Sequence, residues 1–84
     1  RPHVAEVSLA CAAAEAEELL RWFDADVTAT GETCRVVLRA EQPDQLVALV
    51  GRLAIRTDVV VHGSDDVVAA VRSLGERLVA GTRR

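Results

Sequence analysis

Apolar and polar residues alternate over residues 4–10 (VAEVSLA), with Ala5, Val7 and Leu9 on one side and Glu6 and Ser8 on the other, the period of a strand. The period then lengthens. Over residues 12–23 (AAAEAEELLRWF), Ala12, Ala16, Leu19, Leu20 and Phe23 share one helical face. The acidic residues of that segment lie mostly in its first half, where the helix dipole favours them. Two further strands are predicted over 26–29 and 34–40, joined by a turn at Thr30-Gly31-Glu32-Thr33. In the second of them Cys34, Val36, Leu38 and Ala40 point one way, and Arg35, Val37 and Arg39 the other. Gln42-Pro43-Asp44 opens a second helix, since Pro suits the first helical position, and its apolar face is Leu46, Leu49, Val50 and Leu53. A fourth strand follows over 58–62 (DVVVH). Gly63 and Ser64 end it, with Ser64 as N-cap and Asp65 and Asp66 in the first turn of a closing helix lined by Val67, Val71, Leu74 and Leu78. Gly81 can end that helix, and Gly75 inside it costs about 1 kcal/mol relative to Ala.

The order β-α-β-β-α-β-α, with short connections, predicts an α+β domain of the ferredoxin-like split βαβ type: an antiparallel sheet of order 4-1-3-2, two helices on one face, and an added C-terminal helix. The first and third strands are then neighbours. A register with Leu9 opposite Val36 sets Val7 against Leu38, Glu6 against Arg39 and Cys11 against Cys34. The opposite charges of Glu6 and Arg39 favour it by roughly 0.2–1 kcal/mol. The uncovered face would carry Glu6, Ser8, Thr28, Arg35, Val37, Arg39 and His62.

Composition narrows the functional classes. The 84 residues are enough for one domain, which we take over 1–84, and a chain of this length buries roughly 60% of its unfolded surface. Half of the residues are hydrophobic, enough for a core without staples, and Trp22 and Phe23 are its large aromatics. Thirteen acidic residues against ten basic ones give a net charge of −3, which argues against broad nucleic-acid binding through a basic surface. All ten basic residues are Arg, a bias that fits a GC-rich coding genome. No apolar run reaches the roughly 20 residues of a membrane span, so no membrane partner is expected. Arg rather than Met stands first, and we expect a fragment of a longer cytoplasmic protein, without a leader sequence.

Little catalytic chemistry is offered. Cys11 is followed by three alanines, where metal carriers of this shape need a second cysteine. Ala12-Ala13-Ala14-Glu15 cannot cradle a phosphate, the open strands lack aromatics for stacking RNA bases, and no glycine precedes Gly31 to form an amino-acid-binding loop. No Ser/His/Asp set or carboxylate pair is arranged for acid–base work. We therefore expect no enzyme, no cofactor and no metal. Cys11 and Cys34 read as small buried apolar residues, with a disulfide between them as the other reading. His62 reads as a surface histidine rather than a ligand, and His3 as part of a terminus. Trp22 has two readings: packing at the edge of the core, or an anchor for a partner, a role in which half-exposed Trp is enriched. The open face is either simply solvated or a contact surface for a partner domain or an anionic ligand. The candidate contact residues are Trp22, Arg35, Val37, Arg39 and His62.

Over residues 4–80 the chain resembles the C-terminal extension (WCX) domain of bacterial WYL-domain transcriptional regulators. The resemblance rests on the VAEVSLA strand, the helix ending near Trp22-Phe23, the Gly-containing hairpin, and the run RVVLRAEQPDQLVALVGRLAIRTDVVVHGSDDVVAAVRSLGERL. Arg56-Thr57 stands where that family shows Gly-Ala, and Gly63-Ser64-Asp65 where it often shows Pro. The resemblance implies adjacent WYL and DNA-binding helix-turn-helix domains in the same chain, a homodimer, and single-stranded nucleic acid as an effector acting through the full-length protein. The role it implies is regulatory, dimerising and sensing-support. The alternative is a stand-alone small-ligand-binding regulatory domain of the same shape.

Overall fold

The computed structural model describes residues 2–83. Seven elements follow one another: β1 (His3–Leu9), α1 (Ala13–Leu19), β2 (Ala25–Thr30), β3 (Thr33–Ala40), α2 (Pro43–Ala54), β4 (Val59–His62) and α3 (Asp65–Gly81). The four strands form one antiparallel sheet of order β2-β3-β1-β4. This is the expected neighbour order, and it leaves β1 and β3 as the central pair.

The alternation along the strands fixes which side is buried. Ala5, Val7 and Leu9 of β1 and Cys34, Val36 and Leu38 of β3 are buried against Ala16 and Leu20, and against Leu46, Leu49, Val50 and Leu53 of α2. The core is thus one layer of aliphatic side chains between the sheet and two helices. α3 packs against α2 through its first half, with Val67 buried and Val71 resting on the core.

Local chemistry sets the boundaries. Thr30 pairs with Thr33 across a two-residue turn in which Gly31 takes φ +69°, a left-handed value that glycine adopts without strain. The Thr33 hydroxyl donates to the Thr30 carbonyl at 3.0 Å. Pro43 begins α2, and the Gln42 N–H donates to Gln45 Oε1 at 3.1 Å, one half of a capping box. Gly63, at φ +93°, turns the chain from β4 into α3. Ser64 occupies the N-cap position of α3, but its side chain makes no capping bond to the backbone; Asp66 Oδ1 accepts from the Val67 N–H at 3.1 Å instead.

Three expectations are corrected. The register of β1 against β3 is displaced by two residues: Leu9 faces Cys34, Val7 faces Val36 and Ala5 faces Leu38, so Glu6 lies opposite Val37 rather than Arg39. Cys11 lies beyond that ladder, and both cysteines are free. α1 ends at Leu19, so Trp22 and Phe23 sit in the turn after it; Phe23 is 40% exposed rather than in the core. Leu78, expected to line α3 against the domain, is 62% exposed.

Candidate contact surfaces

The open face of the sheet is built in cross-strand rows. One row runs Asp26, Val37, Glu6, His62; the next runs Thr28, Arg35, Ser8, Val60. Most of the polar groups on it satisfy one another. Arg35 Nε donates to Glu6 Oε2 at 2.6 Å, on the diagonal of the register. Arg39, at the end of β3, donates from Nη2 to Asp26 Oδ2 at 2.6 Å and from Nη1 to Asp24 Oδ1 at 3.2 Å. The Asp26 carboxylate, with Asp24 beside it, raises the pKa of Arg39 further above its ordinary value. Arg35 and Arg39, the candidates for meeting an anionic group or a neighbouring domain, are therefore both paired with carboxylates, Arg39 with Asp24 and Asp26 rather than with Glu6. Val37 is half-buried between them, while Val60 at the sheet edge is 57% exposed.

His62 shares a 2.7 Å hydrogen bond with the Ser8 hydroxyl. The pair has the elements of a nucleophile and its base, but the surroundings do not complete one. β1 pairs on both sides over Glu6–Leu9, which commits its backbone N–H groups to the ladders rather than to a developing oxyanion. Among the described residues no carboxylate hydrogen-bonds the other imidazole nitrogen, and the pair lies on an open sheet surface.

The second surface lies at the other end of the sheet. Because α1 stops at Leu19, the chain turns through residues 20–24 before β2, with Leu20 buried and the Phe23 N–H donating to the Leu20 carbonyl at 3.0 Å. That turn lifts Trp22 out of the fold to 86% exposure, which overturns the reading of Trp22 as core-edge packing. Arg21 lies over the Trp22 ring and Arg52 over the Phe23 ring, each 5.5 Å from the ring centroid. Between these aromatics and α2 runs an open groove of about 780 Å³, floored by Ala40, Ala48 and Leu49 and edged by Asp24, Arg39, Glu41 and Arg52. A large aromatic held almost wholly in water beside a groove with an apolar floor adds little burial to the folding of this chain. It is the kind of group that anchors contacts.

Of the candidate contact residues, the structure gathers Arg35, Val37 and His62 on the open face and places Arg39 at the boundary between that face and the Trp22 groove. Phe23, Arg52 and Leu49, which complete the groove, were not singled out from sequence. Cys34 is buried with Cys11 beside it, and burial first, then the neighbouring thiol, pushes its pKa up. Among the described residues no group of side chains could hold a metal ion, and none of their helices is long and apolar enough to cross a membrane.

No protein family, no curated protein and no solved structure matches this chain.

Proposed function

We propose that this chain is a non-catalytic regulatory and dimerisation domain, of ferredoxin-like fold and WCX type, in a cytoplasmic DNA-binding regulator with WYL and helix-turn-helix domains. The observation that carries the reading is Trp22, exposed over an apolar groove at the end of the sheet. Two features support it further. The open face is charge-compensated by Glu6–Arg35 and by Arg39 with Asp24 and Asp26, which suits a surface that meets protein rather than bulk anion. The Ser8–His62 pair lacks the donors and the acid that acyl transfer needs.

The test has two parts. The gene is expected to encode a helix-turn-helix and a Trp-Tyr-Leu-bearing domain upstream of Arg1. In the full-length regulator Trp22→Ala should weaken DNA binding roughly thirtyfold, the loss of one anchor of about 2 kcal/mol. A gene without a DNA-binding segment, or unchanged DNA binding by the variant, overturns the reading.

One observation favours a second reading, a small-ligand-binding regulatory domain: the groove has the volume of small-molecule sites, which run about 300–1,000 Å³. A metabolite that binds there should stabilise the chain by about 2.7 kcal/mol at a hundred times its dissociation constant. A metabolite screen that leaves the melting temperature unmoved counts against it.

A further inference from the structure

The fold brings together two cysteines from distant points of the chain. Leu9 faces Cys34 in the β1–β3 ladder, and both are buried in the core. Two residues further on, Cys11 has left the ladder and packs against the same core cluster. The chain is held there by the Ala10 N–H, which donates to the Asp58 carbonyl at 3.1 Å. The Cys11 thiol is thereby a hydrogen-bonding neighbour of the Cys34 thiol. Both are free, Cys34 buried and Cys11 half-buried. Neither belongs to the open sheet face or to the Trp22 groove.

The segment between the two cysteines is lightly held. α1 has 7 residues, no side-chain cap at Ala12, and Ala16 as its buried residue. A helix that short has little stability of its own. After it come the turn that carries the exposed Trp22 and then β2, an edge strand with no buried residue. A bond from Cys11 to Cys34 would close residues 11–34 into one loop and tie α1, the Trp22 turn and β2 down at both ends. A cross-link of this kind stabilises chiefly by removing freedom from the unfolded chain.

We propose that Cys11 and Cys34 form a reversible redox pair, closed to an internal disulfide with glutathione disulfide as the oxidant. The Cys11 thiolate attacks one sulfur of glutathione disulfide, forming a Cys11–glutathione mixed disulfide and releasing one glutathione thiolate. The Cys34 thiolate then attacks Cys11 Sγ, forming the Cys11–Cys34 bond and releasing the second. The protein gives up two electrons and two protons, and glutathione disulfide takes them up as two glutathione thiols. Burial sets the order. Cys11 reaches solvent, whereas Cys34, its pKa pushed up by burial first and then by the neighbouring thiol, reacts with the sulfur held beside it rather than with a free reagent. The pair belongs to this chain alone, whether or not the chain is part of a DNA-binding regulator.

The 84-residue chain, equilibrated in glutathione buffers of graded ratio, quenched with acid and weighed, should convert to a monomer lighter by two hydrogens. Excess reduced glutathione should restore the original mass. The equilibrium constant for closing the disulfide should be at least about tenfold larger in the native chain than in the same chain unfolded in urea, because a bond that stabilises the fold is stabilised by it in equal measure. The oxidised chain should melt at least about 5 °C above the reduced one. Cys34→Ala should stop at the glutathione adduct on Cys11, and Cys11→Ser should take up no glutathione while folded, since its remaining thiol is buried. An equilibrium constant no larger in the native chain than in the unfolded one overturns the proposal, because the fold would then be holding the thiols apart. So does a wild type that stops at the mixed disulfide or links chains to one another in place of the internal bond. A folded Cys11→Ser that takes up glutathione as readily as wild type overturns it as well.

Discussion

Adding one methyl group at each of two glycines should move stability in opposite directions. Gly→Ala narrows the unfolded ensemble by a similar amount wherever it is made, a gain of about 0.4–1 kcal/mol where the native backbone accepts alanine. Gly75 lies inside α3, where a Cβ would meet nothing within 4 Å. Gly75→Ala should therefore stabilise by about 0.5–1 kcal/mol. Gly63 holds φ +93°, where a Cβ would meet only the Glu6 backbone nitrogen, at an ordinary 3.8 Å. Its cost is thus conformational rather than steric crowding, about 1–3 kcal/mol for an L residue held there. Set against the unfolded-state gain, Gly63→Ala should destabilise by about 0.5–2 kcal/mol. The two variants should differ by roughly 2 kcal/mol, and at a urea m-value of about 1 kcal/mol/M their midpoints should lie about 2 M apart. Urea titration followed by far-UV circular dichroism at low micromolar protein reads this directly. Coincident midpoints, or a Gly63→Ala protein as stable as wild type, would refute the turn that joins β4 to α3.

Three other outcomes follow from the same structure. Leu38→Ala empties a fully buried position at the centre of β3 and should cost about 2–5 kcal/mol in urea unfolding, against a near-neutral Leu78→Ala on the exposed second half of α3. The Ser64 hydroxyl and nearby backbone N–H groups hold the Asp66 carboxyl below its usual value of 3.8. The folded state binds that proton less readily than the unfolded chain, so the contribution of Asp66 is present above about pH 4 and lost as pH falls through the depressed value. Wild type should accordingly lose more stability on acidification than Asp66→Asn, and parallel losses would show that the carboxylate contributes nothing. At neutral pH an uncharged alkylating reagent should modify half-buried Cys11 before Cys34, whose thiol is buried and its pKa raised. Mass spectrometry of the native chain should find one adduct first, with the second appearing only on unfolding.

The strands and their order were legible because alternation and connection length suffice for them. Register was not. Alternation fixes the face a residue takes, and a displacement by two residues leaves every side chain on the same face. The charge cue was also ambiguous: Glu6 could meet Arg35 or Arg39 in neighbouring registers, and Asp24 and Asp26 on the β2 side claim Arg39. The Trp22 surface was half legible. The helical period runs without a break through Phe23, with no glycine or proline to mark the stop. α1 nevertheless ends at Leu19, because the chain must reverse in time for Ala25 to pair with Leu38. That constraint is tertiary and invisible locally. For the same reason Leu78 read as a core position: the stripe of α3 is continuous in sequence, and only its first part, through Val67 and Val71, meets the core.

The one tryptophan reports on the account by itself. Acrylamide quenching of Trp22 should be near that of a free indole in dilute protein and should fall as the protein is concentrated. Quenching in the wild type that is strong and unchanged at every concentration would mean that no second copy covers Trp22. Weak quenching already in the dilute monomer would mean that the side chain is folded into its own domain, and would contradict the account at its base.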